Sequence, residues 1–235
     1  MLRFFVQRLN PDVTIQAYEW IAESAINLLA EFDEDGELTF TLQDQAEQTI
    51  LDAKIAQSAY FATGIMSDAL IESALLLATL DPIFRAGVGH ESIGVIYDHD
   101  VLDLKNLIEA VDANLFVAKN RCVLNPTFGQ GSHLVGGADA DLIIDDTLID
   151  IKTTKNFSLA RNALNQVLGY YILHYIDGID GVVSKPSINN VAIYFSRHSY
   201  LHVMPLSELI NLETFPEFVE WFQLRAAKAF PAKKN

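Results

Sequence analysis

Three aspartates and one lysine fall on the same face of a predicted β-hairpin. Acidic and apolar residues alternate on both sides of Asp145-Asp146, and a two-residue turn there places Asp141 opposite Asp150 and Asp139 opposite Lys152. Carboxylates that face each other across two strands repel, so this pairing needs a compensating charge. A divalent cation bound by carboxylate oxygens supplies that charge, and such ligands suit Mg²⁺ or Mn²⁺. The spacing therefore indicates a metal site.

The opposite face of the hairpin is apolar, as a surface that faces a core must be. It consists of Ala140, Leu142, Ile144, Ile149 and Ile151. The alternative interpretation is a solvated polar face, since Asp-x-Lys also occurs at Asp52-Ala53-Lys54 and at Asp103-Leu104-Lys105. Only the third copy, Asp150-Ile151-Lys152, combines an acid aligned across a hairpin with an apolar opposite face.

These residues resemble the PD-(D/E)XK nuclease superfamily. Asp141 matches the first acid of the motif, although Ala140 stands where the family has proline, and Asp150-Ile151-Lys152 matches the acid-x-Lys. On the next predicted helix, Gln166 and Tyr170 match the Gln-x-x-x-Tyr motif of the RecB-like branch, one helical turn apart. The resemblance covers about residues 100–204 and implies an α/β fold with an αβββαβ core and a mixed sheet.

The resemblance also implies roles for these residues in a Mg²⁺-dependent or Mn²⁺-dependent nuclease. Asp141, Asp150 and the carbonyl of Ile151 would bind the metal, and Lys152 would activate water and stabilise charge on the phosphate. Gln166 and Tyr170 would support the site or contact the DNA backbone. Three further acids have less certain places: Glu109, which we favour as the upstream helical acid, Glu91, which is its rival beside His90, and Asp139, which is an additional ligand or a bystander.

The elements before the hairpin are predicted to be mostly helical. Apolar spacing predicts a helix over residues 11–30, an acidic turn at 33–36, a short strand over 37–42, and helix over 43–80 with a break near Gly64 and a stop at Asp81-Pro82. A further helix is predicted over 100–116, carrying Glu109 on its flank. We expect two regions, a helical acidic region over 1–97 and a nuclease-like domain over 98–235.

The later elements alternate between strand and helix. The sequence predicts a strand at 121–124, a loop marked by Pro126, Gly129 and Gly131, and the hairpin over 134–144 and 148–154. A helix over 159–176 is predicted to begin after Ser158 as N-cap, and strands follow at 190–196 and 200–204. The last helix follows Thr214, which has capping-box spacing to Glu217. His198 and His202 are interpreted as polar residues that flank a turn, not as metal ligands.

The composition indicates where in the cell the protein is located and whether it contacts a membrane. With Cys122 as the only cysteine, no intramolecular disulfide can form, and its apolar neighbour predicts a buried thiol. The first residues do not resemble a secretory signal and the longest apolar stretch, 74–80, is too short to cross a bilayer, so we expect a cytoplasmic protein without membrane contact.

The net charge of −15 is concentrated in the first part of the chain. Residues 1–100 have four basic and 17 acidic side chains, whereas residues 101–235 have 12 and 14. Long-range repulsion of phosphates therefore concerns mainly the first part. The sequence leaves two main function classes open, with action on RNA or on a small phosphorylated substrate as a third possibility. One is a nuclease acting on nucleic acid, DNA by resemblance, in a repair or anti-phage defence role. The other is a non-catalytic interaction module that keeps the nuclease fold and docks a protein partner on its acidic N-terminal region.

Overall fold

The computed structural model describes residues 1–16, 20, 22–23, 26, 38–86 and 94–231. The helices and strands of this part are numbered separately in chain order. The helices are α1 (Leu2–Leu9), α2 (Leu38–Thr63), α3 (Asp68–Ala86), α4 (Asp98–Glu109), α5 (Gln130–Leu134), α6 (Arg161–Asp177), α7 (Leu206–Leu209) and α8 (Phe215–Ala229). The strands are β1 (Thr14–Gln16), β2 (Cys122–Leu124), β3 (Leu142–Ile144), β4 (Thr147–Lys152), β5 (Asn190–Phe195) and β6 (Tyr200–Pro205).

All six strands form one mixed sheet, so the protein belongs to the α/β class. Their order in the sheet follows their order in the chain. β1 is parallel to β2, and β4 is parallel to β5, with α6 in the connection between β4 and β5. The other neighbouring pairs are antiparallel.

The chain divides into two compact units. The first comprises residues 1–8 and 18–110, and the second comprises residues 9–17 and 111–235. Helix α4, which the sequence assigns to the nuclease-like domain, therefore lies in the first unit, and β1 lies in the second. A small core of the first unit joins Ala46 and Ile50 of α2 to Leu80 of α3.

Both faces of the sheet are buried, which corrects the prediction of one polar and one apolar face. Ile143 and Leu148 stand on the face of the aspartates, and both pack with Val167 and Leu173 of α6 in the main core. On the opposite face Leu142 and Ile149 are fully buried, as predicted. A strand covered on both sides carries near-continuous apolar residues, and β3 does so. The aspartates therefore lie at the end of a covered face and not on an open one.

Several predicted elements are confirmed. The break near Gly64 falls between α2 and α3, and the predicted strand at 121–124 is β2. The last two strands and the C-terminal helix also form as predicted, and α6 ends at Gly178, which has a φ of +84°. Cys122 is buried, and burial raises the pKa of its thiol to about 11, so it is a small core residue.

The N-terminal elements differ more from the prediction. Residues Thr14–Gln16 form β1, although the sequence predicts helix there, because the strand depends on pairing with β2 more than 100 residues away. Residues 38–42 are the start of α2 and not a strand, and the spacing of Leu38 and Leu42 fits a helix as well as a strand. The helix α3 continues through Pro82 to Ala86, because a proline weakens a helix without always ending it.

Some details of the later elements also need correction. The predicted helix 100–116 ends as α4 at Glu109, and a separate 3₁₀ turn covers Ala113–Phe116. The predicted loop contains α5, and α6 begins after Ala160 without a side-chain cap, so Ser158 is not its N-cap. Thr214 precedes α8 but its side chain makes no capping hydrogen bond. The acidic turn at 33–36, His90 and Glu91 lie outside the described residues.

Candidate active site

The hairpin has the predicted register. Leu142 pairs with Ile149, Ile143 with Leu148 and Ile144 with Thr147, so the turn consists of Asp145 and Asp146. Asp145 adopts a φ of +52°, which an aspartate in a turn tolerates. Its carboxylate accepts hydrogen bonds from the amides of Lys119, Asn120 and Arg121 at 2.7 to 3.2 Å. The turn is therefore fixed by its own side chain, and this fixes which residues of β4 reach the site.

The backbone pairing of the hairpin stops before Asp141, in contrast to the prediction. Residues 139–141 pair instead with the segment after β2: the Ala140 amide donates to the Pro126 carbonyl, and Asp139 bridges Thr127. The carboxylate of Asp141 accepts a hydrogen bond from the Ile151 amide at 2.7 Å. A side chain thus accepts from a β4 amide beyond the last backbone pair of the hairpin. Asp139 likewise does not pair with Lys152.

Asp150 is the most deeply buried charged group of the site. It is 2% exposed, and Nζ of Lys152 lies 2.8 Å from its Oδ2, an ion pair without the angles of a hydrogen bond. Burial raises the pKa of Asp150, Lys152 counteracts this effect, and the nearby Asp141 carboxylate adds to the rise. A carboxylate buried at this cost is more common at functional sites than in ordinary cores.

Lys152 connects this carboxylate to the next helix. Its ammonium group donates a hydrogen bond of 2.7 Å to Oε1 of Gln166 on α6, and Nε2 of Gln166 donates to the Tyr170 hydroxyl at 2.7 Å. Gln166 and Tyr170 meet because residues four apart share one face of a helix. The ring of Tyr170 stacks on Phe128, with 6.0 Å between centroids. Asp150, Lys152, Gln166 and Tyr170 therefore form one continuous series of contacts.

The charges of three carboxylates act on Tyr170 at the end of this series. Burial raises the pKa of Tyr170, and the charges of Asp150, Asp139 and Asp141 raise it further, against the hydrogen bond from Gln166. The structure thus brings together six residues that the sequence singled out: Asp139, Asp141, Asp150, Lys152, Gln166 and Tyr170. Glu109 belongs to the other compact unit and is exposed there.

A second set of residues holds the loop beside the site, and sequence reasoning did not assign it this role. Asp180 accepts hydrogen bonds from the Thr127 hydroxyl at 2.6 Å and from the Gly129 amide at 2.9 Å, and Asp177 accepts one from the Gln130 amide at 2.6 Å. These contacts position Phe128 under Tyr170. Asp177 is the last residue of α6 and Asp180 follows three residues later, and only this position of two acids at a helix end could have drawn attention to them.

The donor atoms present fit a small divalent cation. No group of three or more His, Cys, Asp or Glu side chains with metal-binding geometry occurs among the residues that the structure describes. Mg²⁺, however, is commonly held by one or two carboxylates, with water and substrate oxygens as the other ligands. Asp141 and Asp150, with the Ile151 carbonyl, would meet that requirement. His198 lies in the turn before β6, as predicted, whereas His202 lies within β6 and does not flank the turn.

Comparisons with known proteins give no further constraint on the site. No family model, no curated protein and no solved structure matches the chain. None of the helices in the described part of the chain has both the length and the apolar character needed to cross a bilayer.

Proposed function

We propose that the chain is a metal-dependent nuclease that hydrolyses phosphodiester bonds, with DNA as its substrate. One observation carries this proposal: Asp150, Lys152, Gln166 and Tyr170 are connected by direct contacts, with Asp141 beside them. A residue set that resembles a nuclease motif in sequence is thereby joined at one place in the fold. A role in repair or anti-phage defence is part of the proposal and rests on the resemblance alone.

Each residue has a defined task in this reaction. Asp141, Asp150 and the Ile151 carbonyl would hold Mg²⁺ or Mn²⁺, which when bound supplies Lewis acidity for water and phosphate. Lys152 presents its ammonium group to a phosphate oxygen and offsets negative charge that develops there. Asp150 and Gln166 hold that ammonium group from two sides, so its position is set before substrate arrives. Tyr170 fixes Gln166 in turn.

The test is cleavage of labelled single-stranded and double-stranded DNA with Mg²⁺ or Mn²⁺. We expect Lys152→Ala and Asp150→Asn to lower the rate by about 100-fold or more, the size of effect seen when one charge-stabilising group is removed. Lys228→Ala on α8 and Asp146→Asn in the hairpin turn are matched controls, since they remove the same charges at positions outside the candidate site. Equal activity in all four variants would contradict the assignment of the site.

One observation favours the alternative of a non-catalytic module. Lys152 already offsets the charge of Asp150 without a metal ion. Calorimetric titration with Mn²⁺ separates the two functions, because a nuclease site binds the ion and loses binding in Asp150→Asn. Absence of both Mn²⁺ binding and cleavage would support a module that acts through protein contacts of its acidic N-terminal region.

A further inference from the structure

Three neighbouring strands align Lys152 with two aromatic rings. Lys152 of β4 is the register partner of Phe195 of β5, and Phe195 is the register partner of Tyr200 of β6. Register partners point to the same face of a sheet, and neighbouring strands lie about 4.8 Å apart. Tyr200 therefore stands about 10 Å from Lys152, on the face that carries Asp150.

A third ring completes an aromatic surface at this end of the sheet. Phe157, in the segment after β4, lies edge-on to Phe195 at 5.2 Å and to Tyr200 at 5.4 Å between centroids, and it contacts the His198 ring at 4.8 Å. We call Phe157, Phe195, Tyr200 and His198 the aromatic platform. Within the platform Phe195 is buried, whereas Phe157 is 57% and Tyr200 46% exposed. Two large rings thus remain in solvent beside the candidate site.

The platform is held rigidly next to the site. The hydroxyl of Ser196 donates to Oγ1 of Thr153 at 2.9 Å, which ties the β5 end to the residue after Lys152. Tyr200 is also stacked on His202, at 6.2 Å between centroids. Rings fixed in this way lose little conformational entropy when another flat group stacks on them.

Basic residues lie close to the platform in the chain, although the chain as a whole is acidic. Lys152, Lys155 and Arg161 lie within five residues of Phe157, and Arg197 adjoins His198. Lys155 and Arg161, which flank Phe157 in sequence, are exposed. Basic side chains beside exposed aromatic rings are the usual composition of a site for single-stranded nucleic acid.

We propose that the aromatic platform stacks unpaired bases of a single-stranded nucleic acid whose phosphate backbone passes Lys152. This inference rests on the proposed function and names the substrate form for the same site. Bases in a duplex already stack on each other and present only their edges, so Phe157 and Tyr200 can reach base faces only in an unpaired strand. The contact is independent of sequence, since every base has a face that can stack.

Binding without cleavage tests this inference. Fluorescence anisotropy is measured in EDTA with three labelled probes: an oligothymidylate of about 15 nucleotides, an abasic strand of equal length, and a blunt duplex. We expect the oligothymidylate to bind most tightly. Phe157→Ala and Tyr200→Ala should each weaken it at least about fivefold, the lower end of the cost of losing one stacked base. Neither substitution should change binding of the abasic strand.

Two control variants distinguish the loss of base stacking from misfolding and from the loss of just any exposed aromatic ring. Tyr200→Phe keeps the ring and should bind like the original protein. Trp221→Ala removes a ring of similar exposure, 52%, from α8 and should have no effect. Circular dichroism of Phe157→Ala and Tyr200→Ala checks that both are folded.

The outcomes separate this inference from the proposed function. Metal-dependent cleavage together with equal binding of thymidylate and abasic strands would contradict base stacking on the aromatic platform. The nuclease proposal would still be supported. Platform-dependent binding without cleavage under any metal would support the platform and count against the nuclease. Preferential binding of the duplex, or no binding of any probe, would also overturn the inference, and the latter would assign the exposed rings to a protein contact.

Discussion

Lys152 on strand β4 donates a hydrogen bond of 2.7 Å to Gln166 on helix α6, 14 residues further along the chain. Gln166 itself is exposed, so this contact does little for the core. Its effect is to orient a flexible ammonium group that has three donors and many rotamers. The contact thereby makes Gln166 a positioning residue, and it leads to the first prediction.

Gln166→Ala should lower kcat for DNA cleavage by about 10- to 100-fold, the range found when a residue that orients a ligand is removed. KM should change little, because the lysine charge remains available to the phosphate. The melting temperature should stay within about 1 °C, since surface substitutions usually change stability by less than 0.5 kcal/mol.

Asn165→Ala is the matched control for Gln166→Ala. It removes an exposed amide from the preceding position of α6. A variant of Gln166 with unchanged kcat, or one whose loss of activity follows its loss of stability, would contradict the positioning role.

Asp150→Asn should distinguish the effect of the buried Asp150 charge on stability from its role in metal binding. Burial raises the pKa of Asp150, so its charged form destabilises the metal-free fold at neutral pH. The amide keeps the side-chain volume and removes the buried charge, so we expect the metal-free melting temperature to rise. The stabilisation of the original protein by Mn²⁺ should disappear. A lower melting temperature with intact Mn²⁺ stabilisation would count against this account.

Two glycines should respond to alanine with opposite signs. A Cβ added at Gly131 would lie 2.8 Å from the Leu173 carbonyl oxygen of α6, whereas one added at Gly169 meets no atom within 4 Å. Gly131→Ala should therefore cost about 1 to 3 kcal/mol of unfolding free energy. Gly169→Ala, inside a helix, should add about 0.5 to 1 kcal/mol. Urea denaturation measures both, and equal effects would show that α5 does not pack so closely on α6.

Asp145 should make the stability of the hairpin depend on pH. Burial raises the pKa of its carboxyl, but three backbone amides and Lys119 lower it more, so the net pKa is below the ordinary value of 3.8. The charged form is thus favoured in the folded state, and its contribution is present above pH 3.8 and lost as the pH falls through the lowered folded value.

Asp145→Asn keeps the shape of the side chain and removes its charge. We expect a loss of about 1 to 2 kcal/mol at pH 7, because hydrogen bonds to a charged acceptor are the stronger ones. The difference from the original protein should shrink below pH 4 in denaturant titrations. Glu213→Gln, at an exposed position, provides the control, and a difference that persists unchanged at low pH would exclude the charge as its cause.

The hairpin could be predicted from sequence because its information is local. Alternation fixes which side chains share a face, and the two aspartates of the turn fix the register from Leu142 to Ile149. The end of the hairpin's backbone pairing before Asp141 could not be predicted in this way. It depends on the Pro126 carbonyl and the Ile151 amide, which are brought to the segment by tertiary structure.

The short N-terminal strand β1 depends even more on residues that are distant in the chain. Thr14, Ile15 and Gln16 have no pattern of their own that distinguishes strand from helix, and their pairing partner begins at Cys122. The aromatic platform was also not predicted, because Phe157 and Tyr200 are separated by a helix and a strand in the chain. Their common position follows only from the parallel placement of β4 and β5.

Because β1 and β2 are parallel neighbours, no tight turn can join them, and a crossover is required. That crossover contains residues 18–110, which make up nearly all of the first compact unit. Topologically, residues 18–110 of this unit are an insertion between two adjacent strands of the second, whereas residues 1–8 precede both strands. A protein shortened to begin near residue 98 would lack β1 and would leave an open edge on β2, where other chains could add a strand. A faithful minimal version of the second unit must instead retain residues 9–17 and join them to residue 111 by a linker.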